Sequence, residues 1–146
     1  MTMTVDRYQI PRWECMSLVE SAAVGRVGII DHGYPIALPV NYRLIGVGDE
    51  REIVIRTTPD TVVGRYTGLA SLEVDEIDVE TKQAWSVLVC GHLRHEPGAH
   101  GLPDPHPWLD SRHHWMVMST DSVSGRRFVG TPGADGYSVE WEIRPA

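Results

Sequence analysis

The sequence is poor in lysine and contains no cluster of basic residues. Lys82 is the only lysine among 146 residues, so arginine carries almost all of the positive charge, and the formal net charge is −7 at pH 7. A protein that binds nucleic acid through a basic surface concentrates Lys and Arg on one face. The charge therefore argues against nucleic acid as a partner.

Long apolar runs and paired cysteines are also missing. No stretch approaches the roughly 20 apolar residues that span a bilayer, and the N-terminal segment lacks the apolar core of a signal peptide. Cys15 and Cys90 are the only cysteines and lie far apart in the chain. Two distant cysteines are typical of free thiols in a reducing compartment. We therefore expect a cytoplasmic protein with no membrane segment.

Composition predicts one globular domain over residues 1–146. Hydrophobic residues make up 42% and charged residues 23% of the chain, a balance that argues against disorder. Residues 1–11 form a polar lead-in, and residues 95–111 form a loop rich in Pro, Gly and His. No repeat or second domain interrupts the remainder.

The order of elements predicts a small, mainly β protein. Apolar residues at helical spacing predict one helix over 13–23. Short apolar segments separated by turns predict strands over 26–30, 36–44, 52–57, 69–77, 84–93, 114–118 and 137–143. Such short strands and hairpins favour an antiparallel barrel with short flanking helices.

The segment 53–61 is the clearest candidate for a ligand-binding site in the sequence. A β-branched strand ends in Arg56, Thr57 and Thr58, and Pro59 then begins a predicted short helix over 59–66 with Thr58 as its N-cap. Unpaired N–H groups at a helix start and a guanidinium beside them favour a phosphate. The alternative is an ordinary strand-to-helix turn whose arginine pairs with a nearby carboxylate.

Pro39 interrupts the predicted strand over 36–44. Because proline has no N–H to donate to a neighbouring strand, the segment is an edge, a bulge or a place where a ligand replaces the neighbour.

The seven histidines do not form a recognisable metal motif. His92 and His95 fall on opposite faces of a predicted strand, and the loop histidines lack the paired spacing of structural zinc sites. We predict no metal site. No nucleophilic triad is readable either, so the catalytic residues stay unknown.

Several motifs in order are similar to one family. They are Glu-Cys-Met-Ser-Leu-Val-Glu in the N-terminal helix, Val-Gly-Arg-Val-Gly, Leu-Pro-Val-Asn-Tyr at 38–42, Ile-Arg-Thr-Thr-Pro at 55–59, Leu-Glu-Val-Asp at 72–75 and Trp-Ser-Val-Leu-Val-Cys-Gly at 85–91. Together they resemble the pyridoxamine 5′-phosphate oxidase-like, FMN-binding split-barrel family, in its actinobacterial flavin and deazaflavin branch. The resemblance covers about residues 13–93, and Ser-Gly-Arg-Arg at 124–127 resembles a later family segment.

The resemblance implies a six-stranded antiparallel Greek-key split barrel that forms a homodimer, with a flavin or deazaflavin in a groove at the interface. It assigns the ring system to Pro39, Val40 and Asn41. It assigns the cofactor phosphate to Arg56, Thr57, Thr58 and Thr61. It places Trp85 and Ser86 at the closing side of the site, partly from the second subunit, although core packing is the alternative for Trp85.

One departure from the family pattern concerns the phosphate. Most relatives carry a lysine at the helix start, whereas this chain has Asp60, Thr61, Val62 and Val63 there. Arg65, one turn after Thr61, either replaces that lysine or points into solvent. Weak FMN binding, a preference for the deazaflavin F420 and the absence of a cofactor all stay open.

The resemblance therefore predicts an FMN- or F420-dependent oxidoreductase that acts on a small molecule of unknown identity. The alternative is a non-catalytic module on the same fold that binds or senses a flavin, F420 or haem.

Overall fold

A computed structural model describes residues 8–98, 102–106 and 113–130. Eight antiparallel strands form one sheet in the order β1-β8-β6-β5-β2-β3-β4-β7. The strands are β1 Tyr8–Gln9, β2 Val24–Asp31, β3 Tyr34–Ile45, β4 Glu52–Thr57, β5 Gly68–Asp78, β6 Gln83–His95, β7 His114–Met118 and β8 Ser122–Val129. The helices are α1 Arg12–Ser21 and α2 Val62–Arg65.

Strand β6 closes the sheet into a barrel because it has a different partner on each half. Its residues 83–90 pair with β8, and its residues 93–95 pair with β7. Since β7 also pairs with β4, six strands (β2 to β7) complete a ring, while β8 and the two-residue β1 extend the sheet beyond it. The mainly β class is confirmed, although the predicted count of six strands is too low for the whole sheet.

The interior of the ring is filled by side chains that alternate along each strand. Among the fully buried members are Val27, Tyr42, Ile53, Ile55, Leu72, Val87, Val89, Leu93, Met116 and Met118. The Tyr42 hydroxyl donates to the carbonyl of Val19 at the end of α1, which ties the helix to β3.

Helix α1 packs against β8 through Cys15. The Cys15 side chain is fully buried, and a Cβ at Gly125 would lie 2.5 Å from its Sγ, so only glycine permits this approach. Burial raises the pKa of the Cys15 thiol. Trp13, by contrast, is 70% exposed and does not belong to the buried face of the helix.

The remaining predicted elements agree with the structure to different degrees. Strand β4 has the predicted bounds, whereas β8 was not predicted as a strand and β1 lies inside the predicted lead-in. The predicted strand over 137–143 lies outside the described residues. Within the described segments, no helix has the length and apolar character to cross a membrane.

Candidate functional site

The turn after β4 is organised by Thr61. Its Oγ1 accepts from the backbone N–H of Gly64 at 3.0 Å and donates to the carbonyl of Thr58 at 2.8 Å, so Thr61 is the N-cap of α2. The prediction that Thr58 caps a helix over 59–66 is wrong, because the Thr58 hydroxyl instead donates to the carboxylate of Asp60 at 2.6 Å. The helix therefore begins three residues later than predicted and is a single turn.

The predicted phosphate residues divide between the two faces of β4. Ile55 is part of the barrel interior, so alternation directs Arg56 outward and Thr57 inward. Thr57 is buried, and its Oγ1 lies 2.7 Å from the Oγ1 of Thr61. Arg65 donates from Nη1 to the backbone carbonyl of Asp60 at 2.8 Å. Thus the hydroxyls of Thr57 and Thr61 close the end of the barrel interior. The Arg56 guanidinium lies on the outer face of β4.

Arg56 is held by two residues from distant parts of the chain. Its Nη1 lies 2.6 Å from Oδ1 of Asp104, and its Cζ lies 5.2 Å from the centre of the Trp115 ring. The guanidinium is mostly buried, with 12% of the side chain exposed. The backbone N–H of His106 and the Arg56 guanidinium lower the pKa of Asp104, so this carboxylate is ionised at neutral pH. The alternative of an arginine paired with a carboxylate therefore describes Arg56 in this structure.

The segment around Pro39 lies beside Arg56 at an open edge of β3. Residues 34–41 pair with β2, and pairing with β4 begins only at Tyr42, opposite Ile55. No strand within the described residues pairs with the other side of 34–41, which agrees with two of the three alternatives for Pro39, an edge or a place where a ligand replaces the neighbour. Continuing the register places Asn41 opposite Arg56, where β3 and β4 part.

Pro39 and Asn41 share the outer face with Arg56, but Val40 does not. Leu38 and Val40 pack against the barrel interior, so the residues between and after them point outward. Pro39 is exposed and Asn41 is partly buried. Val40 consequently supports the edge from inside and presents no side chain to the outer surface.

Trp85 and Ser86 lie on opposite faces of β6. Trp85 packs against the barrel interior and lines a pocket of about 220 Å³ with Glu76 and Arg127. Ser86 donates to the carboxylate of Glu73 at 3.2 Å on the outer face. Because β2 and β5 separate β3 from β6, Ser86 lies at least about 14 Å across the sheet from Pro39. One chain does not bring Trp85 or Ser86 to the Arg56 corner.

The sequence reasoning missed three residues at this corner. Asp104 and Trp115 contact the guanidinium, and His114 places Nε2 3.1 Å from the carbonyl of Gly64 while its ring stacks on His95 with centres 3.9 Å apart. These contacts join residues between 19 and 59 positions apart in sequence, so no local pattern predicts them. The described residues include no group of three or more His, Cys, Asp or Glu side chains that could hold a metal.

The donor set fits a phosphate group. The guanidinium of Arg56 is a planar donor suited to phosphate oxygens, and the hydroxyl of Thr58 and the guanidinium of Arg65 lie in the turn beside it. On the edge of β3 next to it, where no described strand pairs with the outer side of Pro39, the proline ring offers an apolar contact for a flat ring. We call Pro39, Asn41, Arg56, Thr58 and Arg65 the Arg56 corner.

Comparison with known proteins places the chain in a family. The family model described as pyridoxamine 5′-phosphate oxidase matches residues 11–127. The chain belongs to the pyridoxamine 5′-phosphate oxidase family. The matched span contains α1, the complete barrel ring and most of β8, so the family assignment covers the whole of the Arg56 corner. A search of curated proteins finds no significant match.

Solved structures of this fold include flavin-binding proteins. The FAD-binding protein of Mycobacterium smegmatis is 27% identical, with a TM-score of 0.62 over 82% of this chain and 96% of that one. An FAD-binding protein of Mesorhizobium loti is 22% identical, with a TM-score of 0.67 over 82% and 94%. The FAD- and haem-binding protein of M. smegmatis is 16% identical, with a TM-score of 0.58 over 86% and 76%.

Proposed function

We propose that this protein is a flavin-dependent oxidoreductase that holds the cofactor phosphate at Arg56 and the ring along Pro39–Asn41. The observation that supports the proposal is that the described pairing of β3 with β4 ends at Tyr42 and Ile55, so that Asn41 and Arg56 are the next residues of the two strands on one outer face. Membership of the pyridoxamine 5′-phosphate oxidase family and the FAD bound by structural relatives support a flavin as the ligand.

Each residue of the corner has a distinct part in holding the group. Arg56, kept in place by Trp115, provides charged donors for phosphate oxygens, and Arg65 adds further guanidinium N–H groups from the α2 turn. The Thr58 hydroxyl, which donates to Asp60 in this structure, joins the donor set only when it releases that carboxylate. Pro39 contributes an apolar contact without a competing N–H. When bound, the flavin supplies the hydride-transfer chemistry, and the protein positions it.

The form of the cofactor is part of the proposal. We expect FMN as the cofactor, with F420 as the alternative. We expect the affinity for this cofactor to be modest, because Val62 and Val63 occupy the first turn of α2 where most members of the family carry a lysine. The loss of one charge-assisted hydrogen bond of about 1.5–3 kcal/mol weakens binding about ten- to a hundredfold.

The Arg56→Gln variant tests the phosphate assignment. We expect it to weaken FMN binding about ten- to a hundredfold in a fluorescence titration, because a neutral amide replaces the charged donor. The matched control is Arg51→Gln, which removes an arginine paired with Glu20 at the other end of β4 and leaves FMN affinity unchanged. Equal FMN affinity in wild type and Arg56→Gln would contradict the assignment.

We further propose that the protein is a homodimer with the corner at its interface. Within one chain, Ser86 lies across the sheet from Pro39 and Trp85 packs against the barrel interior, so a closing role for either at the corner requires a second copy. Several apolar side chains of the outer surface also stay exposed, including Ile30 at 54% and Leu69 at 75%. Light scattering coupled to size exclusion, which reports the mass in solution, tests this point; a mass of one chain at micromolar concentration contradicts it.

A second function, binding without turnover, is favoured by the missing lysine and by the carboxylate already paired with Arg56. A bound flavin that is reduced and reoxidised in the presence of a nicotinamide donor and an acceptor supports the oxidoreductase. Binding that stays inert to such donors and acceptors supports the binding module.

A further inference from the structure

The Arg56 corner is occupied by a carboxylate of the protein itself, that of Asp104. Asp104 lies 48 positions after Arg56 in sequence, yet its Oδ1 is 2.6 Å from Nη1 of the guanidinium. A carboxylate and a phosphate compete for the same planar donors of an arginine. The proposed function places a phosphate on Arg56. The Asp104 carboxylate therefore lies where an oxygen of that phosphate would bind.

The carboxylate of Asp104 is held ready for this contact by its own segment. The same Oδ1 accepts from the backbone N–H of His106 at 2.9 Å, and His106 adopts a left-handed backbone with φ of 49°. This local turn directs the carboxylate independently of Arg56. Asp104 is therefore oriented by its own segment as a carboxylate partner for the guanidinium.

The guanidinium has a second contact besides Asp104. The Trp115 ring lies against one face of Arg56, and Trp115 is paired with Arg56 across β4 and β7. A cation over an aromatic face is stabilised without a carboxylate. Displacement of Asp104 thus leaves Arg56 aligned for another anion.

We propose that Asp104 competes with the cofactor phosphate for Arg56 and thereby sets the affinity of this corner for phosphate-bearing flavins. Binding exchanges one anion for another on the same guanidinium. The inference rests on the proposed function, because it requires the phosphate to bind at Arg56. It extends that function by naming a residue that weakens binding without belonging to the family motif.

The test compares FMN with riboflavin, which has the same ring and no phosphate, on wild type and the Asp104→Asn variant. Asparagine keeps an oxygen for the His106 N–H and removes the charge. We expect FMN to bind about tenfold more tightly to Asp104→Asn than to wild type, and riboflavin affinity to stay unchanged. Asp121→Asn, an exposed position between β7 and β8, makes the same change in net charge and serves as the control.

Each result separates the inference from the proposed function. FMN affinity that is equal or weaker in Asp104→Asn overturns the inference, and if Arg56→Gln still weakens FMN binding, the proposed function survives. An equal gain for riboflavin and FMN, or for Asp121→Asn, also overturns it. If FMN and riboflavin bind neither protein, both the proposed function and the inference are wrong. Should Asp104→Asn fail to melt cooperatively, Asp104→Ser is titrated in its place and the same criteria apply.

Discussion

Glu73 makes the free energy of unfolding of the barrel fall as pH rises, which is opposite to the usual effect of a carboxylate. It lies on the outer face of β5, where Arg26 is 3.3 Å from its carboxylate and 3.1 Å from that of Asp75. Burial, followed by the neighbouring Asp75 carboxylate, raises the pKa of Glu73 from about 4.5 to about 7. The folded protein therefore holds a proton on Glu73 at pH values where the unfolded chain has released it.

The sign of the effect follows from the proton balance. Between about pH 4.5 and pH 7 the folded state binds more protons than the unfolded state, so the free energy of unfolding falls as pH rises through this window. The full shift corresponds to about 3 kcal/mol. Because 29% of Glu73 and 57% of Arg26 are exposed, water screens the charges, and we expect about 2 kcal/mol.

The Glu73→Gln variant removes this contribution. We expect its free energy of unfolding, relative to wild type, to increase by about 2 kcal/mol between pH 5 and pH 7.5, as measured by urea denaturation. Glu76→Gln, an exposed neighbour on the same strand, is the matched control and tracks wild type. A constant difference between Glu73→Gln and wild type across the range would refute the reasoning.

Three other substitutions test the packing around the site. Tyr42→Phe leaves the Val19 carbonyl without its buried donor, and we expect urea denaturation to show a loss of about 1–3 kcal/mol; an unchanged midpoint contradicts this. A Cβ at Gly91 would collide with the Ser119 carbonyl, so Gly91→Ala lowers the unfolding free energy by about 1–3 kcal/mol unless that carbonyl moves freely. A Cβ at Gly64 would meet the Thr58 carbonyl, so Gly64→Ala disturbs the α2 turn and weakens FMN binding, and equal affinity would show that the turn does not contribute.

Local patterns in the sequence were sufficient for the family and for several of the elements, although not for β1, β8 or the bounds of α2. Alternation and turn residues predicted β4 with its observed bounds, and the missing N–H of Pro39 predicted an interruption of β3 with an edge as one of three alternatives. These signals are local because strand periodicity and backbone donors are properties of consecutive residues. The family motifs likewise lie within short segments, and their order carried the assignment.

Contacts between distant residues decided how the predicted site is built. Threonine is an acceptable N-cap at position 58 or 61, and only packing of the turn against the end of the barrel selects Thr61. The ion pair of Arg56 with Asp104 and its contact with Trp115 join three segments of the chain, and α2, β5 and β6 lie between the first two. The sequence alone thus determined that β4 ends in a guanidinium and that a proline interrupts β3. The tertiary structure decided which anion that guanidinium holds, because the choice depends on side chains that the folded chain brings together from about 50 residues away.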